Sequence, residues 1–199
     1  ELADMHLRTG FLGTPLLAPV LDDNGYADIM YKILFKETYP SWFYSINQGA
    51  TTMWERWDSY TLENGFNKGG MNSFNHYAYG AIGQWMYERI AGIQPIEPGY
   101  KKIRFAPLTG GPLTHAKAEY TSIYGKICSE WTKTDKSLEL NVTVPPNTSA
   151  IVELPLIENT QLYLDGIKFE GKQDAKRIET SKETQVIEVE PGSFTFTLK

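Results

Sequence analysis

The sequence predicts an α+β chain in two successive parts, helices first and an antiparallel β-sandwich after them. Three observations predict it. Apolar residues recur at helical spacing up to Trp85. A joint carrying Pro95 and Pro98 follows, from Ile93 to Gly99. Beyond it, apolar and polar residues alternate in short runs separated by turn residues. The boundary is placed at the joint, giving a helical part at residues 1–98 and a sandwich at 99–199.

A chain of 199 residues with 41% apolar content can bury the cores of two small domains. The net charge of −5 and the dispersed lysines provide no basic patch, so a nucleic-acid partner is not expected. No apolar run is long enough to span a bilayer, and no membrane partner is expected. The chain starts without methionine inside a helical pattern, so it reads as a fragment of a longer protein. The single cysteine, Cys128, excludes an internal disulfide and a cysteine zinc site, and reads as a small buried residue in a strand. No metal-ligand cluster or phosphate-cradling glycine motif appears, so neither metal nor cofactor is expected.

Thr14-Pro15 reads as an N-cap and first helical residue, opening a short helix through Leu16, Leu17 and Val20. Asp22-Asp23-Asn24-Gly25 is a turn. Tyr26, Ile29, Met30, Ile33 and Leu34 then mark a helix to about Glu37, stopped by Tyr39-Pro40. Asn72 or Ser73 caps another helix, with Phe74, Tyr77, Ala78, Ala81, Ile82 and Trp85 on one face and Gly92 as its stop. Gly80 and Gly83 would let a neighbour approach the opposite side. Strands are expected at 103–105, 116–120, 125–131, 138–144, 150–154, 161–164, 185–189 and 194–198, with Asp165-Gly166 as a hairpin turn.

Between the helices lies Gln48 to Ser59, which has neither helical nor alternating periodicity and is bracketed by Gly49 and by Gly65, Gly69 and Gly70. It holds Trp54-Glu55-Arg56-Trp57-Asp58. Taken alone, this is compatible with two core tryptophans and an ordinary ion pair, Glu55–Arg56 or Arg56–Asp58. It is also where an aromatic- and charge-rich loop would bind or catalyse.

The longer pattern separates these readings. Gly49-Ala50-Thr51-Thr52-Met53-Trp54-Glu55-Arg56-Trp57-Asp58, followed by Met71-Asn72-Ser73-Phe74-Asn75-His76-Tyr77-Ala78-Tyr79-Gly80, resembles the end of the catalytic region of bacterial α-L-rhamnosidases, glycoside hydrolase family 78. Gly10-Phe11-Leu12-Gly13-Thr14-Pro15, Gly111-Pro112-Leu113-Thr114-His115-Ala116 and Val144-Pro145-Pro146-Asn147-Thr148 extend the likeness over most of the chain. The resemblance implies that residues 1–98 are the last helices of an (α/α)6 toroid of six helical hairpins and that the rest is its C-terminal β-sandwich. It implies an inverting hydrolase that releases terminal α-L-rhamnose from glycosides or polysaccharides.

By motif position the resemblance makes Glu55 the general base and His76 a rhamnose-binding residue. Arg56 beside Glu55 would favour its charged form, and a helix N-terminus would keep the His76 ring neutral. The general acid of the family lies in an upstream motif that this chain does not contain. Asp58 and Glu63 are the only nearby carboxyl groups, and each reads equally as structural. Trp54, Trp57 and Trp42 could wall the apolar face and methyl of rhamnose, or be core. His6 and His115 read as structural. Without the upstream acid the chain alone should be inactive, and helical faces left uncovered should favour a homo-oligomer. Another inverting (α/α)6 glycosidase, or a non-catalytic structural or sugar-binding module, remains as an alternative.

Overall fold

A computed structural model describes residues 4–171, 175–180 and 183–199. The chain divides into two compact units, residues 1–85 with 110–112, and residues 86–109 with 113–199.

In the first unit, α1 (Thr14–Asp23), α2 (Ala27–Leu34) and α3 (Trp42–Asn47) precede a small hairpin, β1 (Tyr60–Thr61) and β2 (Gly65–Phe66). A 3-10 turn at Ala78–Ala81 leads into α4 (Ile82–Trp85). Gly13, not Thr14, occupies the N-cap of α1; Thr14 is already helical, and its hydroxyl donates back to Gly10 O at 2.9 Å. Helix α2 ends at Leu34, before the expected Glu37. Helix α3 has no counterpart in the sequence reading. It is six residues long, too short for a periodicity, and its start is fixed locally: the Tyr44 N–H donates to Ser41 Oγ at 3.0 Å. Indole Nε1 of Trp85 donates to Asp22 Oδ2 at 3.1 Å and ties α4 to the end of α1. The same indole meets the Tyr31 ring edge-on at 5.3 Å. Leu16 and Val20 of α1 remain exposed.

The helix expected from Asn72 or Ser73 starts only at Ala78. The reason lies across the chain. Residues 73–76 use their backbone groups against residues 53–55: the Glu55 N–H donates to Ser73 O at 2.8 Å and the His76 N–H to Met53 O at 2.9 Å. A segment paired in this way cannot also close helical turns. A Cβ at Gly80 would lie 3.9 Å from the Met53 side chain, whereas one at Gly83 would face open space, so only the first approaches a neighbour.

The second unit opens with a π turn at Met86–Ile90 and is built from eleven strands among the described residues. These are β3 (Ile93–Pro95), β4 (Lys102–Phe105), β5 (His115–Ser122), β6 (Gly125–Lys133), β7 (Leu138–Val144), β8 (Ser149–Pro155), β9 (Leu162–Leu164), β10 (Ile167–Lys168), β11 (Ala175–Thr180), β12 (Thr184–Val189) and β13 (Gly192–Leu198). They form a six-stranded sheet, β10-β9-β13-β7-β6-β5, and a five-stranded sheet, β11-β12-β8-β4-β3. All pairs are antiparallel except β4 with β8, a departure from the expected wholly antiparallel sandwich.

Strand β3 lies before Pro98 and pairs with β4, and three residues are too few to display an alternation. Strand β11 escaped the sequence reading for a different reason. It buries only Ala175, so it lacks an apolar side. Asp165 and Gly166 both have positive φ, 51° and 79°, and join β9 to β10 as the expected two-residue hairpin.

The core of this unit follows the period of two. Ile127, Ser129 and Trp131 of β6, Leu138, Leu140, Val142 and Val144 of β7, Ala150, Val152 and Leu154 of β8, and Ile103 and Phe105 of β4 are buried. Trp131 is completely buried, and its Nε1 donates to Ile90 O at 2.7 Å; Ser129 Oγ donates to Ala91 O at 2.6 Å. These bonds satisfy polar groups that would otherwise be stranded in the core. Gly92 follows, with φ 79°, and a Cβ there would lie 2.3 Å from Pro107 N. Cys128 is in a strand as expected but points to the outer face and is only half-buried.

Candidate active site

The loop after α3 is held at several points. Gly49 N–H and Ala50 N–H donate to Ile46 O and Ser45 O, which turns the chain out of the helix. Ser45 Oγ, buried, donates to Trp57 O at 2.7 Å. Trp57 stacks on Tyr79 at 4.0 Å and meets Trp42 edge-on at 5.5 Å, while Trp42 Nε1 donates to Tyr79 O. Trp54 meets Phe74 edge-on at 5.3 Å. With 7% and 8% of their surfaces exposed, Trp54 and Trp57 are anchors of the loop within this unit. The space beside them is a cavity of only about 50 Å³.

Glu55 is half-buried between these anchors. Its Oε2 accepts the Ser73 N–H at 2.7 Å, and its own N–H donates to Ser73 O. The second carboxylate oxygen accepts no hydrogen bond from the described residues, which leaves one lone-pair-bearing oxygen for another molecule. Arg56 does not pair with Glu55 or Asp58 among the described ion pairs. Its Nε donates to Met71 O at 3.0 Å, and its guanidinium lies over Gly69, where a Cβ would come within 3.1 Å of Cζ. The hydrogen-bond donor to the Glu55 carboxylate is thus a backbone N–H and not the Arg56 side chain. Helix-free backbone at 69–73 is what makes that donor available.

Ser59 closes the turn. Its Oγ accepts the Arg56 N–H at 3.2 Å and donates to Arg56 O at 3.0 Å, and its carbonyl accepts from Asn67 N–H and from Asn72 Nδ2, both at 3.0 Å. Asn72 Oδ1 is buried and has no partner among the described residues. Neither Asn72 nor Ser73 caps a helix; their partners lie 13 and 18 residues away, beyond the reach of any local sequence pattern. Asp58 is half-buried, and Glu63 is exposed. Burial raises the Tyr39 hydroxyl above its ordinary range, and the nearby Asp58 charge adds to this.

His76 is half-buried and sits two residues before the 3-10 turn rather than at the start of an α-helix. Phe11 stacks on its ring at 4.3 Å, and Tyr77 lies parallel at 5.8 Å. The Ala78 N–H approaches Nδ1 at 3.5 Å, the long limit of a hydrogen bond. Glu55 and His76 thus belong to two chain segments that are hydrogen-bonded to each other. His6 hydrogen-bonds Thr38 Oγ1 at 2.7 Å, and His115 is exposed at the start of β5. No group of three or more potential metal ligands occurs among the described residues.

A helical unit that holds Glu55 and His76 on two hydrogen-bonded segments is followed in the chain by a β-sandwich. Residues 1–90 match the bacterial α-L-rhamnosidase 6 hairpin glycosidase domain, and residues 92–165 match the bacterial α-L-rhamnosidase C-terminal domain. The chain belongs to the bacterial α-L-rhamnosidase family.

Among its relatives, an α-L-rhamnosidase of Formosa agariphila is 54% identical over 197 residues, which is 99% of this chain and 21% of that protein. One from an Alteromonas species is 57% identical over 150 residues, 75% of this chain and 16% of that protein. The crystal structure of Streptomyces avermitilis α-L-rhamnosidase complexed with L-rhamnose superimposes with a TM-score of 0.89 at 42% identity, over 100% of this chain and 18% of that one. The chain therefore spans 21% and 16% of the length of these two curated relatives.

Proposed function

We propose that residues 1–199 supply the general base and a sugar contact to an inverting α-L-rhamnosidase that releases terminal α-L-rhamnose from glycosides or polysaccharides. The observation that carries this reading is the Glu55 carboxylate, held through one oxygen by Ser73 and open at the other, on a segment paired with the one bearing His76. Glu55 takes a proton from water while the water oxygen attacks the anomeric carbon from the face opposite the leaving group. The glycosidic bond breaks, and a general acid protonates the departing oxygen. Such an acid stands across the sugar from the base, with roughly 6.5–9.5 Å between carboxyl groups. Asp58 lies three residues from Glu55 on the same tight turn, and Glu63 is on its exposed rim. We therefore assign the acid to a segment outside these residues.

His76 presents a ring nitrogen to a sugar hydroxyl, with Phe11 fixing the ring plane. Trp54 and Trp57 act on the sugar chiefly by fixing the loop. The L-rhamnose bound in the related Streptomyces avermitilis enzyme supports the substrate class. The helical residues serve the catalytic domain and the strands from β3 onward form the sandwich, so the division of labour runs a few residues before Pro98.

The test is the stereochemistry of turnover. Proton NMR of a full-length enzyme carrying this sequence, acting on an aryl α-L-rhamnoside, should show β-L-rhamnose first and the α-anomer only through mutarotation. Immediate release of the α-anomer would require a covalent intermediate and remove Glu55 from the role of base.

A further inference from the structure

Three consecutive residues meet three points of the turn that carries Glu55. Met71 O accepts Arg56 Nε at 3.0 Å, Asn72 Nδ2 donates to Ser59 O at 3.0 Å, and the Ser73 N–H donates to Glu55 Oε2 at 2.7 Å. Ser73 O also accepts the Glu55 N–H. The turn has its own closure at Ser59, which is fully buried, so the contact from Asn72 holds a rigid point. The same tripeptide leads, three residues later, to His76.

We propose that Met71-Asn72-Ser73 is the cradle that sets the position of the base relative to the sugar site, with Asn72 as its positioning side chain. The inference rests on the assignment of Glu55 as base. The physical argument is one of geometry. The Ser73 N–H that orients the carboxylate is a backbone group, so its location depends on whatever fixes the backbone on either side. On the C-terminal side that is the His76 N–H to Met53 O bond. On the N-terminal side the Gly69 N–H donates to Asn67 Oδ1 at 2.8 Å, a bond within the same short bend, and the constraint across to the turn comes from Asn72 and the Arg56 contact. The amide orientation is set by its partner, since only Nδ2 can face the Ser59 carbonyl. An in-line proton abstraction tolerates little error in such a position.

Asn72→Ala removes the contact, and Asn72→Asp removes it at nearly constant volume. In a full-length enzyme carrying this sequence, both should lower kcat per folded molecule by about 10- to 100-fold while KM for an aryl α-L-rhamnoside changes by less than about threefold. A purely structural asparagine would lower the melting temperature and leave kcat per folded molecule unchanged, and that result overturns the proposal. Because a protonated carboxyl can donate to Ser59 O, the kcat ratio of Asn72→Asp to wild type should also rise as the pH falls; a flat ratio counts against the cradle. Arg56 is exposed, so Arg56→Gln removes a second cradle contact with little risk to folding and should give the same kcat-specific loss. Glu55→Gln is measured alongside. If that variant keeps full turnover, the base assignment itself fails; if it is inactive while the Asn72 and Arg56 variants turn over normally, only the cradle fails.

Discussion

Ser73 binds Glu55 twice, donating its N–H to Oε2 at 2.7 Å and accepting the Glu55 N–H on its carbonyl at 2.8 Å. A side chain fixed through backbone groups keeps its place when its charge is removed. Glu55→Gln should therefore preserve the loop and sugar binding. It should lower kcat in a full-length enzyme by about 10²- to 10⁴-fold, the usual worth of a positioned base. Unchanged kcat would remove Glu55 from the mechanism.

His76 is expected to act in binding rather than in proton transfer. His76→Ala should raise KM for an aryl α-L-rhamnoside by about 10-fold or more, as for loss of a hydrogen bond worth roughly 1.5 kcal/mol. Phe11→Leu, which removes the stacking partner at 4.3 Å, should raise KM in the same direction by less. Steady-state kinetics decide it: a His76→Ala variant with normal KM and low kcat would mean that the ring joins the chemistry.

Gly92→Ala should destabilise the sandwich unit. Its φ of 79° costs a substituted residue roughly 1–3 kcal/mol, and the new methyl would meet the Pro107 backbone at 2.3 Å. Thermal unfolding checks this, and a melting temperature equal to wild type would mean that the 92–107 contact is not formed in solution.

Cys128 shares the outer face of its sheet with Glu119, its cross-strand partner, and with the Lys117–Glu130 and Lys126–Glu119 ion pairs. Burial chiefly, and then the Glu119 charge, raise its thiol above the ordinary range. The thiolate fraction at pH 8 is thus lower than for a free cysteine, and alkylation by iodoacetamide should be slower, with a pH midpoint shifted upward. Glu119→Gln should move that midpoint down. A midpoint at or below that of a free thiol would contradict the burial.

Residues 1–199 produced alone should not hydrolyse an aryl α-L-rhamnoside. Leu12, Leu16, Val20, Leu62, Phe66, Met71 and Tyr77 are exposed in the first unit, so self-association is also expected, visible in sedimentation velocity. Turnover by the 199 residues that Glu55→Gln abolishes would place the general acid within them.

The sequence by itself determined the order of helices and then strands, most strand positions and the Asp165-Gly166 hairpin. Those follow from local periodicity and turn chemistry, both of which act over a few residues. Only the tertiary structure decided what surrounds Glu55. Its donor is the Ser73 backbone and not Arg56, because residues 73–76 pair with 53–55 in place of entering a helix. Only the fold buried Trp54 and Trp57 against Phe74, Trp42 and Tyr79, and only the sheet order paired β4 with β8 in parallel. Hydrogen bonds between residues 13 to 47 positions apart depend on loop closure and competing partners, and no local pattern in the chain records which partner wins.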